Sequence, residues 1–181
     1  MIRPVERELL VAPAPVVAPR LLNKLLVSGD TIGRIVEVEA YTPDDPASHS
    51  YRGQTPRTAP MFEQAGTLYC YLSYGIHVCA NVVVDGDGVG AAVLVRAVEP
   101  VVGYDVMLRR RGGRQPVANG PGKLCQALAI DLGHNGLDLL DASSAVMLND
   151  DGIDPPQSPT IGPRIGISVA VDVPWRWRVP G

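Results

Sequence analysis

Apolar and polar positions alternate along much of the chain. In Ile35-Val36-Glu37-Val38-Glu39-Ala40-Tyr41 the alternation has the two-residue period of a strand. Val36, Val38 and Ala40 fall on one face, which suits a core, while Ile35, Glu37, Glu39 and Tyr41 fall on the other. Two carboxylates and a phenol in one row are costly to bury and have nothing to meet on a plain sheet surface. The stretch is therefore either the floor of a cleft or an edge strand with solvated acids. The pattern alone weighs the two equally.

Other elements follow from the same reading. Leucines at helical spacing predict a short helix over Pro19 to Leu26, and Ser28-Gly29-Asp30 turns into the acidic strand. Thr42 to Ala65 is a long irregular segment rich in Pro, Ser, Thr, Arg and Gly, a length that in a compact domain points to function or disorder. Thr67 to Leu72 and His77 to Val84 read as a hairpin around the turn Ser73-Tyr74-Gly75-Ile76, with Gly75 supplying a positive φ. Tyr69 and Tyr71 share a face, and Tyr74 stands at the tip. Asp85-Gly86-Asp87-Gly88 is a plain turn, because a calcium loop would need more acids and a terminal Glu. A strand is expected over Ala91 to Val98, carrying Arg96. Helices are expected over Pro100 to Arg111 and from Pro121 to about Ile130, where Pro121 fits a first helical position. Val146 to Leu148 and Trp175 to Arg178 read as strands. With no repeats and no linker, residues 1–181 form one domain.

Composition narrows the setting. At 46% hydrophobic, 181 residues suffice for one full core, and no apolar run reaches transmembrane length or makes a signal peptide. A cytoplasmic protein with no membrane partner is the expectation. Cys70, Cys79 and Cys125 form no CxxC pair and are odd in number, so they read as small buried apolar side chains. The net charge of −3 argues against nucleic acid until its distribution is considered. Leu124 to Pro163 holds six acids and no Lys or Arg, which leaves 16 basic residues against 19 − 6 = 13 acids elsewhere. Most of the basic residues are Arg, the side chain best suited to forked phosphate contacts. A basic face with an acidic back is permitted.

Several chemistries are missing. His49, His77 and His134 are scattered, with no metal-ligand spacing, and neither a serine nucleophile elbow nor a dinucleotide fingerprint occurs. Asn119-Gly120-Pro121-Gly122-Lys123-Leu124 is not a P-loop, though such a helix start can seat one phosphate. The chain does offer acids on a strand, several tyrosines, a loop histidine and arginines. A carboxylate that activates water beside aromatic walls fits hydrolysis through an oxocarbenium-like transition state. A tip aromatic such as Tyr74 can wedge between bases, and excision of a flipped base would use all of these together.

The chain resembles the alkyladenine (3-methyladenine) DNA glycosylase family over nearly its whole length. Seven blocks carry the resemblance, in order: Gly33 to Tyr41; His49-Ser50 with Gln54 to Arg57; Gly66 to Gly75; Cys79-Ala80-Asn81; Leu94 to Ala97; Gly120 to Leu128; and Arg164-Ile165-Gly166. The resemblance implies an α/β (α+β) single domain with a curved, mostly antiparallel mixed sheet, flanking helices and a protruding β-hairpin. It also implies a monomer with no cofactor, no metal and no lyase step, acting on double-stranded DNA containing damaged purines.

By the same resemblance Glu39 would activate the attacking water, with Arg96 and the Ile165 carbonyl holding it. Tyr41 and His49 would sandwich the flipped base against Tyr71, and Asn81 would crowd the exocyclic amino group of guanine. Tyr74, with Ile76 beside it, would fill the gap in the duplex. Thr55, Arg57, Gly120, Gly122 and Lys123 match positions at the DNA backbone. Only the resemblance selects Glu39 over Glu37, which is left structural or solvated, and Arg96 is also placed to pair with Glu37 or Glu99. Purines alkylated at N3 or N7 are already cationic and leave readily, whereas hypoxanthine needs leaving-group protonation from an acid the residues do not name. Further strand residues beyond Gly181 are expected in relatives, and the compact loop from Tyr41 to His49 bears on pocket width. Two other readings are a non-catalytic binder of damaged nucleic acid, distinguished at Glu39, and a small-molecule nucleoside hydrolase, distinguished at Tyr74.

Overall fold

One strand, β3 (Thr31–Tyr41), pairs with three others and organises the rest. A computed structural model describes residues 2–181. Along the chain lie β1 (Arg3–Pro4), α1 (Ala14–Arg20), β2 (Leu25–Ser28), β3, β4 (Leu68–Ser73), β5 (His77–Val84), β6 (Ala91–Val102), α2 (Tyr104–Arg110), α3 (Pro121–Leu128), β7 (Val146–Asp150), β8 (Thr160–Gly162) and β9 (Arg176–Arg178). The sheet order is β1-β7-β2-β3-β6-β5-β4. On its other edge β3 pairs first with β2, at Thr31 to Arg34, and then with β9, at Glu37 to Glu39. Every pairing is antiparallel, so the parallel component of a mixed sheet is not found among the described residues. Of the strands adjacent in the chain, β2–β3, β4–β5, β5–β6 and β8–β9 pair with each other, and among the described residues no helical crossover returns one strand parallel to another. The sheet is curled into a half-barrel with three helices.

Three register shifts interrupt the β3–β6 ladder, and the two on either side of Glu37 are bulges that contribute to the curl and correct the simple alternation. Ile35 faces Val98 and Glu37 faces Ala97, which makes Val36 an extra residue; Val38 then faces Val95, which makes Arg96 the extra residue on β6. The first bulge returns Ile35 to the core with Val38 and Ala40, leaving Val36 half-buried. From Glu37 onward the expected alternation holds. One face of the sheet carries Val38, Ala40, Cys70, Ala80, Val82, Val93 and Val95 into the main core, where Val17 and Ala18 of α1 and Leu124, Ala127 and Leu128 of α3 cover them. All three cysteines are free and buried, as expected.

Three expected boundaries move. The leucines of Pro19 to Leu26 serve two elements rather than one helix: α1 ends at Arg20, Leu21 and Leu22 fill the turn, and Leu25 and Leu26 begin β2. β6 runs on to Val102, past the expected helix start. A Cβ at Gly103, whose φ is +79°, would stand 2.5 Å from the Asp30 carbonyl oxygen, so the chain breaks there and α2 follows. The acidic tract is not a free back either. Asp138, Asp150 and Asp151 pair with Arg7, Lys24 and Arg34, stitching the tract to the N-terminal third. No helix among the described residues is long and apolar enough to cross a membrane.

Candidate active site

The sheet face opposite the helices carries a row of cross-strand partners. Glu39 of β3 faces Leu94 of β6, Leu94 faces Asn81 of β5, and Asn81 faces Tyr69 of β4. Directly opposed residues project from the same side of a sheet. Tyr71 opposite Cys79, and Tyr41 opposite Ala92, extend the face by one row on either side. Above it lies a cleft of about 580 Å³, lined by Tyr41, His49, Arg57, Tyr69, Tyr71, Tyr74, Asn81, Arg96 and the segment 165–169. That volume is typical of a small-molecule pocket, and its lining mixes aromatic rings with polar and cationic side chains.

Glu39 is wholly buried at the bottom of this face, beneath Tyr41, Arg96 and Ile165. Its carboxylate receives the Tyr41 hydroxyl on Oε2 at 2.8 Å and the Ile165 N–H on Oε1 at 2.8 Å, and Arg96 Nη1 stands 3.2 Å from Oε1. The expected contact of Ile165 is its carbonyl on the water; what the structure shows at Glu39 is its N–H. Burial first, and then the adjacent Glu39 charge, push the Tyr41 phenol well above its ordinary range, so Tyr41 stays a donor. The residue left open by sequence, Glu37, accepts from Arg96 Nε at 3.3 Å and from Arg176 Nη1 at 3.0 Å. Arg96 therefore bridges both acids of β3, and Glu99 is not its partner.

The aromatic walls are arranged more tightly than expected. His49 packs edge-on against Tyr71 with centroids 4.4 Å apart, and its Nδ1 is 3.0 Å from the Tyr69 hydroxyl. No base fits between rings in contact, so His49 and Tyr71 form one wall and Tyr41 the other. Behind Tyr41 the Arg164 guanidinium lies 4.7 Å from the ring centre and forms a buried, two-pronged ion pair with Asp45, while Nη1 also donates to the Ala40 carbonyl at 3.0 Å. This pair fastens the loop after β3 to the segment that supplies Ile165. Asn81 is buried, with Nδ2 donating to the Tyr69 carbonyl at 3.0 Å.

Tyr74 is 83% exposed at the hairpin tip, beside an exposed Ile76. Gly75 has the expected positive φ, at +72°, but Tyr74 itself also sits at +50°, strained for a bulky side chain. Arg57 hangs over the other wall, 5.9 Å from the Tyr71 ring centre, and Thr55 is tied to Thr58 in the same turn. At the start of α3, Gly120 has φ +131° and gives its N–H to the Arg96 carbonyl at 3.0 Å, so that donor is not open to a phosphate. The first-turn N–H groups left over belong to Gly122 and Lys123, since Pro121 has none and Leu124 bonds back to Gly120. Gly122 is required for packing as well: a Cβ there would lie 2.8 Å from His77. No group of three or more His, Cys, Asp or Glu among the described residues could hold a metal ion.

Sequence reasoning missed Arg164, Asp45 and Arg176, whose partners lie 119 to 139 residues away in the chain. It also left Tyr69 unassigned, although the shared face of Tyr69 and Tyr71 was visible.

The curled antiparallel sheet thus carries a buried carboxylate under an aromatic cleft, the arrangement of a candidate hydrolase. A family model described as methylpurine-DNA glycosylase (MPG) matches residues 8–181. A Burkholderia lata protein called "Putative 3-methyladenine DNA glycosylase" is 49% identical over 173 residues, covering 91% of this chain and 82% of the relative. Proteins of the same name from Rhodopseudomonas palustris strain HaA2 (46% identical; 98% of this chain, 88% of the relative) and Methanoculleus marisnigri (48%; 91% and 89%) are also similar. The chain belongs to the methylpurine-DNA glycosylase family, and so to the DNA glycosylases.

Proposed function

We propose that this protein is a monofunctional glycosylase that excises alkylated or deaminated purines from double-stranded DNA as a monomer, by water attack at C1′ of a flipped nucleotide. The observation that carries the reading is Glu39, a fully buried carboxylate held by two hydrogen bonds and an ion pair directly beneath aromatic walls. Tyr74 and Ile76 enter the duplex and occupy the vacated space, an insertion that compensates for unstacking. The base lies between Tyr41 on one side and the Tyr71–His49 wall on the other, over Asn81, whose amide discriminates against the guanine amino group. Lys123, Arg57, Thr55 and the first-turn amides of α3 meet the phosphates, which makes binding fall steeply with salt.

For catalysis a water must take one acceptor position on Glu39. Tyr41 and Arg96 are fixed on strands, whereas Ile165 lies half-exposed in an irregular segment and yields its position most readily. The water then stands beside Arg96, gives its proton to Glu39 and attacks the sugar as the base departs. Cationic alkylpurines need little more than this.

The test is a base-release assay on duplexes carrying 3-methyladenine, 7-methylguanine, hypoxanthine or ethenoadenine. Glu39→Gln, which keeps the shape but cannot accept the proton, should retain lesion binding and lose about 10²- to 10⁴-fold in release rate. Release at the wild-type rate by this variant would overturn the role of Glu39. Tight lesion binding by the wild type without any release would make the protein a binder.

A further inference from the structure

Glu37 and Glu39 sit two residues apart on the cleft face of β3, and one guanidinium serves both. Arg96 is the bulged residue of β6, which is what sets its side chain against this pair. Its Nε points to Glu37 Oε1 at 3.3 Å and its Nη1 to Glu39 Oε1 at 3.2 Å. An arginine beside a single carboxylate closes on it with two parallel hydrogen bonds, because its donor fork matches the two oxygens. Here the fork is split between two acids, and Nη2, which has no partner among the described residues, stays available at the cleft. The same Glu37 oxygen is fixed by Arg176 Nη1 at 3.0 Å, and Arg176 Nε holds the Pro163 carbonyl at 2.7 Å. Glu37 is thus anchored from the far side, by a strand that does not line the cleft.

We infer that Glu37 is a positioning residue for base release: it draws Arg96 partly away from Glu39, so that the guanidinium cannot close on both Glu39 oxygens and a place for the water is kept. This rests on the reading of Glu39 as the water-activating acid. Without the Glu37 charge, Arg96 is free to turn its whole fork onto Glu39, which both blocks the water and holds the acid in a fully paired state. Substrate stacking between Tyr41 and Tyr71 does not involve Glu37, so the loss falls on the chemical step.

The experiment is single-turnover release from the lesion duplex that the wild type cleaves fastest, with lesion binding measured alongside, for Glu37→Gln, Arg96→Met, Arg176→Gln and the Glu37→Gln/Arg96→Met pair. Glu37→Gln is expected to lower the release rate about tenfold to a hundredfold at nearly unchanged binding, and to have no further effect in the Arg96→Met background. Arg176→Gln, which removes only the anchor, should cost less than Glu37→Gln. Glu37→Asp keeps the charge on a shorter stem and should lose only about threefold, again only when Arg96 is present; it carries the test if the Gln variant does not fold. A wild-type rate in Glu37→Gln, an equal loss from Arg176→Gln, or additive losses with Arg96→Met would overturn the inference. A wild-type protein that releases no base would overturn the underlying reading as well, which is a distinct result.

Discussion

At the floor of the cleft Glu39 is held by Tyr41 from its own strand, Arg96 from β6 and Ile165 from 126 residues away in the chain. At the hairpin tip Tyr74 is held, among the described residues, by its own turn alone, closed by the Ile76 N–H to the Ser73 carbonyl at 3.1 Å. The floor is built from long-range contacts that share one another's partners; the tip is built from backbone conformation alone. The chemical group must keep one geometry while a substrate comes and goes, and over-determination supplies that. The wedge has only to project, and a local turn supplies that without loading the core. Changes at the floor should therefore cost stability and activity together, and changes at the tip should cost DNA binding by itself.

The largest effect is expected where the floor is tied to the rest of the molecule. Arg164 and Asp45 are both buried, and the pair also supports Tyr41, with Trp175 on the guanidinium's other contact at 5.5 Å. Arg164→Met leaves the Asp45 carboxylate buried without its partner, which should lower unfolding free energy by about 3–5 kcal/mol. Denaturant unfolding measures this. Adding Asp45→Asn should recover part of the loss, because the uncompensated charge is then gone. A single-variant loss below about 1 kcal/mol, the range of an exposed ion pair, would mean that the loop and the Ile165 segment are not coupled through this contact.

The same contrast decides what could be read from the sequence. The hairpin, its tip tyrosine, the acidic strand and the start of α3 were legible, because each is written in a few neighbouring residues: Gly75 in a turn, alternation in Val38 to Tyr41, Pro121 at a first helical position. The bulges at Val36 and Arg96 were not, since an extra residue shows only when the partner strand's register is known, and they exchange the expected positions of Ile35 and Val36. Glu37 had no visible role because its partners come from β6 and β9, and Arg164 was legible as part of a family block but not as the partner of Asp45. The leucines before β3 misled for a related reason: helical spacing cannot separate a helix end from the strand that follows it. The family resemblance named the residues of the floor. The contacts that hold them there had to be seen.

At the tip, Tyr74→Gly sharpens the contrast. Glycine takes φ +50° without strain, so the folded protein should be as stable as the wild type or more stable by up to about 1 kcal/mol. Affinity for a lesion duplex should fall about tenfold, the scale of one lost aromatic stacking contact. Binding titrations and thermal unfolding on the same samples separate the two effects. A variant that is destabilised and still binds normally would reverse the division between floor and tip.

His49 belongs to the wall between these regions, and it gives the smallest predicted effect. The residue is exposed, while its ring packs edge-on against Tyr71 and its Nδ1 meets the Tyr69 hydroxyl. Burial against these rings, with Arg57 adding positive charge nearby, holds His49 below the ordinary histidine value of 6.5. The unfolded chain therefore takes up this proton first as pH falls, so between about 6.5 and the lower folded value stability declines with falling pH. The contribution is complete above that window and absent below it. Asp151, held below the ordinary 3.8 by its hydrogen bond to Arg34, acts in the same sense but only at much lower pH, so the two windows do not overlap. Melting temperatures of wild type and His49→Gln compared from pH 7.5 to 5.5 should diverge, with the wild type losing slightly more. Curves that stay parallel would mean that His49 is solvated in either protonation state, which would leave Tyr71 as the only fixed ring of that wall.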